Sequence, residues 1–289
     1  MIYTGGMETA ASNPRSFAGL TLDRPLVMGV VNVTPDSFSD GGDFAEPPAA
    51  IVHGLALLAE GADIIDIGGE STRPGAAATA IDEERRRVIP VVEALAQRGA
   101  TVSIDTRHAE VMRDAIAAGA RIVNDVTALG GDPDSLDVVA QLGVAAILMH
   151  MRGEPATMQA APAYDDVVGE VEAFMVTRLA EAEAAGIPRA RLAIDPGIGF
   201  GKTLEHNLLL LRATRRLKRL GAPVVVGVSR KSLIARLSKG EPPKQRLAGS
   251  LAAALAALAR GVDILRVHDV AATIQAIAVW RAIEQGDAR

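Results

Sequence analysis

Seven of the 28 glycines in this chain punctuate it at regular intervals. Gly61, Gly99, Gly119, Gly143, Gly186, Gly221 and Gly261 each close a helix-like stretch. An apolar run follows each within a few residues: IIDIGG, TVSID, RIVND, AAILMH, LAIDPG, VVVGVS and ILRVH. An eighth run, LVMGVVN, precedes the first glycine. The runs are continuously rich in Val, Ile and Leu, as expected of parallel strands covered on both faces. Glycine takes a left-handed backbone cheaply and is the expected residue just past a helix end. Eight strand-then-helix units in this order predict an α/β fold, a single-domain (β/α)8 TIM barrel. Each run begins apolar and ends polar, so it also marks the barrel face on which chemistry would sit.

The helical stretches carry the matching periodicity. Ile51, Leu55 and Leu58 fall at i, i+4 and i+7, as do Leu204, Leu208 and Leu211. Val88, Val91, Val92 and Leu95 repeat the pattern, as do Val168, Val171, Met175 and Leu179. Pro90 lies inside one of these stretches and is expected to kink or interrupt it. The segment 245–260, QRLAGSLAAALAALAR, is apolar almost all round, which predicts burial in the core or in a subunit interface. The structural alternative is a doubly wound open sheet. That fold usually has fewer strands and a G-x-G-x-x-G turn after the first, where this chain has Asn32-Val33-Thr34-Pro35.

A chain of 289 residues fits one barrel domain of about 250 residues plus a tail. We place a flexible polar tail at residues 1–18 and the barrel at 19–289; Met7 is an alternative start to Met1. With 49% apolar residues the core is ample. The formal net charge of −5 gives no global field for nucleic acid or acidic membranes. The absence of cysteine excludes disulfides, thiolate metal sites and a cysteine nucleophile, and fits a cytoplasmic location. No apolar run reaches the roughly 18 residues of a membrane span, and the first residues lack the basic-then-apolar order of a signal peptide.

Barrel enzymes of this kind carry their catalytic groups at the carboxyl ends of the strands. Here those ends supply Asn32, Glu70 with Ser71-Thr72-Arg73, Asp105, Asn124 with Asp125, His150, Asp195, Ser229 to Ser232, and Arg266 with His268. Any one of these could simply cap the next helix; a polar group at all eight ends is harder to explain so. Asp105, Asn124 and Asp195 close the third, fourth and sixth strands, and their side chains can converge in the barrel mouth. Buried acids and amides need partners, and a heterocycle with two parallel N–H donors would suit a carboxylate. A helix N-cap is the alternative for Asp105. Arg266 and His268, two apart on the eighth strand, share a side. With Asn32 they make a plausible phosphate or pyrophosphate site; an ion pair of Arg266 with Asp269 or Asp263 is the alternative.

Two loops, 32–42 (NVTPDSFSDGG) and 68–76 (GGESTRPGA), have the composition of active-site flaps, with Phe38 and Arg73-Pro74 as their least surface-like residues. Lys231 could form a Schiff base. Its neighbour Arg230 and its place before a helix favour anion or ligand contact instead. His53 and His206 read as solvated helix residues, His108 as a helix opener, and His150 as structural.

These residues resemble one known family. MGVVNVTPDSFSDGG (28–42), DIIDIGGESTRPGA (63–76), SIDT (103–106), IVNDV (122–126), LMHMRG (148–153), DPGIGFGK (195–202), VGVSRKS (226–232) and RVHDV (266–270) are similar, in order, to the motifs of dihydropteroate synthases. These are the folate-pathway enzymes blocked by sulfonamides. The resemblance runs from about residue 20 to 285 and takes the ordinary chromosomal form around Phe200 and the GGESTRPG loop.

The resemblance implies condensation of 6-hydroxymethyl-7,8-dihydropterin diphosphate with 4-aminobenzoate, by a dissociative route, in a homodimer. It implies a pterin pocket of Asp105, Asn124, Asp195 and Lys231 with Met149 as an apolar wall. Asn32, Arg266 and His268 would form the pyrophosphate and Mg2+ group, with Asn32 as metal contact. Thr72, Arg73 and Pro74 match the second loop, and Phe200, Lys231 and Ser232 the 4-aminobenzoate side. Asp105, Asp195, Lys231, Arg266 and His268 would be the catalytic set. Three rivals remain at this stage: a methyltetrahydrofolate-binding methyltransferase, a Schiff-base aldolase acting through Lys231, and a non-catalytic pterin-binding barrel.

Overall fold

The computed structural model describes residues 15–34, 46–72 and 75–285. Eight parallel strands form the predicted barrel: β3 (Leu26–Asn32), β4 (Ile64–Gly68), β5 (Val102–Asp105), β6 (Ile122–Asp125), β7 (Ala145–Met149), β8 (Leu192–Asp195), β9 (Val225–Gly227) and β10 (Ile264–Val267). Their order is β8-β7-β6-β5-β4-β3-β10-β9. A parallel bridge between Ile194 and Val224 brings β8 to β9 and closes the circle.

Helices alternate with the strands: α1 (Pro47–Ala59), α2 (Ile81–Ala96), α3 (Ala109–Ala117), α4 (Ser135–Leu142), α5 (Val167–Ala184), α6 (Leu204–Arg212), α7 (Thr214–Lys218), α8 (Ser232–Leu237), α9 (Leu247–Leu258) and α10 (Val270–Gln285). The main core lies between strands and helices and includes Ile65, Val88, Leu95, Ile104, Met112, Leu148, Met175 and Leu210. A second core fills the amino-terminal half of the lumen with Met28, Ile64, Ile122, Ile147, Ala193, Val225 and Ile264.

A hairpin of β1 (Ser16–Phe17) and β2 (Leu20–Thr21) covers that end of the barrel. Its Phe17 is completely buried in the lumen core, which contributes about 2 kcal/mol of transfer free energy. The tail boundary drawn at residue 18 therefore cuts through packed structure; residues 1–14, with Met1 and Met7, lie outside the described residues.

All seven punctuating glycines take the left-handed backbone, with φ between 67° and 112°. Five helix ends share one hydrogen-bond pattern. The amide of Gly61, Gly99, Gly119, Gly186 or Gly261 donates three residues back, and the amide after it donates five residues back. That is the Schellman arrangement, which satisfies the last carbonyls and turns the chain into the next strand.

Two expectations about helices change. Pro90 does not interrupt α2, which runs unbroken from Ile81 to Ala96. Pro90 and Arg86, whose carbonyl loses the hydrogen bond, both face solvent, so water replaces the missing donor. The Ala/Leu-rich α9 is also not buried all round on this chain. Ser250, Ala254, Ala257 and Leu258 face the barrel, while Leu247 is exposed.

The glycine ends make a graded test. At Gly221 (φ 79°) an added Cβ meets nothing within 4 Å, so Gly221→Ala adds backbone strain alone, about 1 kcal/mol. At Gly119 (φ 112°) the same Cβ would stand 2.7 Å from the Ala96 Cβ. Chemical denaturation should therefore show Gly119→Ala clearly less stable than Gly221→Ala; equal losses would contradict the packing argument.

Candidate active site

Parallel register builds the site. Asn32 pairs laterally with Gly68, Gly68 with Asp105, and Asp105 with Asn124. Paired residues of neighbouring strands point to the same face, so Asn32, Asp105 and Asn124 form one row at the mouth. Gly68 leaves a gap in it: a Cβ there would lie 3.6 Å from Asp105 Oδ2 and 3.8 Å from Asn32 Oδ1. Two residues earlier on β4, Asp66 points the same way from a layer deeper and is fully buried. On β10, Arg266 pairs with Met28 of the lumen core and with Gly227, so it too points inward.

Arg266 ties these layers together. Its Nε donates to Asp66 Oδ2 at 2.6 Å and its Nη2 to Asp105 Oδ2 at 2.8 Å. Asn124 Nδ2 donates to Asp66 Oδ2 at 3.1 Å. Burial disfavours the Arg266 charge, but the charges of Asp66 and Asp105 outweigh it and hold the guanidinium protonated. For Asp105, burial pushes the pKa up while Arg266 pulls it down. Asp105 is therefore not the helix cap considered as its alternative. Nor does Arg266 pair with Asp269 or Asp263. Asp269 takes Arg230 at 2.6 Å, and Asp263 takes Arg15 at 3.1 Å and Lys218 at 3.0 Å.

Asp195 ends β8 beside Met149 of β7, to which it is paired in register. Its Oδ1 accepts the Gly197 amide at 2.7 Å. Burial raises its pKa against the lowering charges of Lys231 and Arg266. Lys231 precedes α8, after a strained turn at Arg230 (φ 58°). That turn is held by the Arg230 amide on Ser250 Oγ at 2.9 Å, by Asp269 on its guanidinium, and by Arg246 on its carbonyl at 2.8 Å. Strain of this kind persists where the surroundings over-determine it. Lys231 Nζ donates to the Ile198 carbonyl and sits 4.7 Å from the Phe200 ring centroid. Burial pushes its pKa down to about 8, against the raising charge of Asp195.

His268 shares a hydrogen bond with Ser229, Nδ1 to Oγ at 3.1 Å. Ser232 is exposed, Thr72 and Phe200 are half-buried, and Met149 is buried. Arg73 and Pro74, and residues 35–42 of the first loop with Phe38, lie outside the described residues. Asp125 faces away from Asn124. It accepts the Thr127 and Leu129 amides at 2.7 and 2.9 Å, and so holds the turn after β6.

Three histidines differ from expectation. His150, read as structural without an obvious partner, accepts Lys202 Nζ at Nδ1, 2.9 Å away. His206 is half-buried: it closes a capping box with Thr203 and meets the Tyr164 ring edge-on at 5.0 Å. His53 is half-buried as well, and burial lowers its pKa. His108 opens α3 as expected, with Nδ1 2.7 Å from buried Glu84.

Sequence reasoning missed two charged residues here. Asp66 sits inside an apolar run, and that mismatch was the available signal. Lys202 ends the DPGIGFGK motif and is almost fully buried.

Residues 28–268 match the family model described as pterin binding enzyme. The dihydropteroate synthase of Escherichia coli (strain K12) is 48% identical over 264 residues, spanning 91% of this chain and 93% of its own. The chain belongs to the dihydropteroate synthase family. Among solved members, Xanthomonas albilineans dihydropteroate synthase with 4-aminobenzoic acid matches at 56% identity and TM-score 0.86, over 92% of this chain and 95% of that one. The Xanthomonas albilineans synthase in complex with 7,8-dihydropteroate matches at 53% identity and TM-score 0.84, over 94% and 99%.

Asp66 gives the test of the network. Asp66→Ala removes the fully buried one of two carboxylates from a half-buried guanidinium, at a cost of about 3 kcal/mol. Urea unfolding should register that loss; a change under about 1 kcal/mol would mean that solvent already screens Arg266.

Proposed function

We propose that the barrel mouth condenses 6-hydroxymethyl-7,8-dihydropterin diphosphate with 4-aminobenzoate, giving 7,8-dihydropteroate and pyrophosphate. The observation that carries this is the convergence of Asp105, Asn124 and Asp195 on one buried end, with Lys231, His268 and Asn32 at its rim. Family membership names the reaction, and solved relatives hold 4-aminobenzoic acid and 7,8-dihydropteroate.

Asp195, an acceptor whose burial keeps water from competing for it, takes the N–H edge of the pterin. Asp105 and Asn124, already oriented by Arg266 and Asp66, complete the ring's hydrogen bonds. The C–O bond to the diphosphate breaks first. Its electron pair leaves with pyrophosphate, and the electron-rich pterin carries the positive charge on the exocyclic methylene. Fixed carboxylates near that developing charge stabilise it without reorganising. Arg266 and His268 face the negative charge gathering on the leaving group, and Lys231 stands between the pterin and Phe200. The neutral amine of 4-aminobenzoate then attacks the methylene and loses a proton to water, so no general base is required. Phe200, Ser232 and the loop bearing Thr72, Arg73 and Pro74 form the arylamine side.

Asn32 fits a role toward Mg2+, since its amide oxygen is a hard donor at the mouth. Among the described residues no group of three or more His, Asp or Glu stands ready to enclose a metal, so the diphosphate would supply most of the ligands. The ion would neutralise phosphate charge there.

We also propose a homodimer. A groove of about 490 Å³ between α6, α8 and α9 is lined by Leu208, Leu211, Leu237, Ala252 and Ala256; Leu237 is exposed, as is Leu247 on α9. A second copy would cover the face that α9 leaves open. No helix is long and apolar enough to cross a membrane among the described residues.

A methyltransferase, an aldolase or a non-catalytic binder would release no pyrophosphate from the pterin diphosphate, so that assay separates all three from the synthase. In it, Asp195→Asn should lower turnover at least about 100-fold; near wild-type turnover would remove Asp195 from the pterin role. The pH profile supplies a second test. With increasing pH, kcat/KM for the pterin diphosphate should fall as Lys231 loses its proton near pH 8. Lys231→Arg keeps its charge beyond that range and should flatten the alkaline limb. An unchanged limb in that variant would assign it to another group.

A further inference from the structure

The loop joining β8 to α6 carries Phe200 between left-handed glycines at 197, 199 and 201. Four consecutive carbonyls of this loop each accept a side-chain hydrogen bond. Ile198 accepts Lys231, Gly199 accepts Gln159 Nε2 at 2.5 Å, Phe200 accepts Lys202 Nζ at 2.9 Å, and Gly201 accepts the Tyr164 hydroxyl at 3.0 Å. Lys231 reaches in from the start of α8. Gln159 and Tyr164 come from the segment after β7. Lys202 belongs to the loop itself.

Lys202 stands apart in its burial, 2% exposed. Besides Phe200 O it reaches His150 Nδ1 at 2.9 Å and His150 O at 3.2 Å. Three acceptors match the three protons of an ammonium, and none of them is a carboxylate; burial pushes the Lys202 pKa down to about 7, against the raising charge of Asp195. A buried cation is a costly way to fill space, and Met has similar volume without that cost. His150 is immobile in turn: it is buried and packs edge-to-face on Phe174 at 4.9 Å. Burial and the Lys202 charge hold its pKa down to about 3, so the ring is neutral, with its proton on Nε2. The result is a rigid link from the end of β7 through His150 and Lys202 to the carbonyl of Phe200.

We propose that Lys202 is a positioning residue for the arylamine substrate. Through His150 it fixes where Phe200 stands opposite Lys231, with Tyr164 and Gln159 as outer ties of the same loop. This rests on the reading of the mouth as a synthase site with Phe200 on the 4-aminobenzoate side.

Steady-state pyrophosphate release, with each substrate varied in turn, tests it in Lys202→Met, Tyr164→Phe and the Tyr164→Phe/Gln159→Ala pair. In assays at about pH 6, below the pH near 7 at which Lys202 loses its proton, losing a charged hydrogen bond to the loop should raise KM for 4-aminobenzoate about tenfold in Lys202→Met, and losing neutral ones about two- to fivefold in the double variant. KM for the pterin diphosphate should stay within about twofold in all of them. A purely structural lysine would lower the amount of folded enzyme and leave both KM values alone. Unchanged KM for 4-aminobenzoate in folded Lys202→Met, or an equal rise for both substrates, overturns the proposal. Where Lys202→Met does not fold, the double variant decides, and an unchanged KM for 4-aminobenzoate there overturns it too. Absence of pyrophosphate release by the wild-type chain would instead overturn the synthase reading, on the wild-type measurement alone.

Discussion

The mouth of this barrel depends on one half-buried guanidinium. Arg266 reaches from β10 to Asp66 on β4 and Asp105 on β5. Taking Asp66 out of water, and Arg266 and Asp105 partly so, costs free energy before pairing. The arrangement persists because each charge has a partner and because register puts them within reach. Asn124 is held by the same Asp66 oxygen. The row of Asn32, Asp105 and Asn124 at the mouth is thus set from one layer below it. The groups facing the mouth are oriented before any ligand arrives, which is what makes fixed dipoles effective in stabilising developing charge.

How much of this was legible in the sequence follows from where polarity falls. Asp105, Asn124, Asp195 and Arg266 stand at or near the ends of apolar runs, and eight such ends specify a barrel with a polar face. Glycines after the helices located those ends, because a left-handed residue is needed there. Asp66 was not legible by the same rule: it lies within its run, and its partner is 200 residues away. Lys202 was missed because two of its three acceptors are backbone carbonyls, which leave no trace in side-chain patterns. The same holds for the pairing of Arg266, whose acidic neighbours in sequence are engaged by Arg230, Arg15 and Lys218. Nearness along the chain pointed to the wrong acids.

The two sides of the mouth are held by different means. On the Arg266 side, side-chain charges on neighbouring strands lock one another across the lumen. On the Phe200 side, side chains from three segments hold backbone carbonyls of a glycine-rich loop. Strand-borne groups move with the barrel and so keep fixed spacing. A loop keeps its spacing through its ties, and each tie can be altered separately. Substitutions at the loop and its ties should therefore move Phe200 more readily than substitutions at the strands move their own groups.

The amino-terminal hairpin has a consequence for the opposite end. With Phe17 seated in the lumen core, apolar side chains fill the barrel at its floor. Below Arg266 and its two carboxylates lie apolar side chains, which polarise little. The field of the charged groups emerges toward the mouth, where solvent and ligand can respond. The floor therefore acts as an insulator: it makes the charged layer one-sided, and an approaching ligand meets that field at the rim.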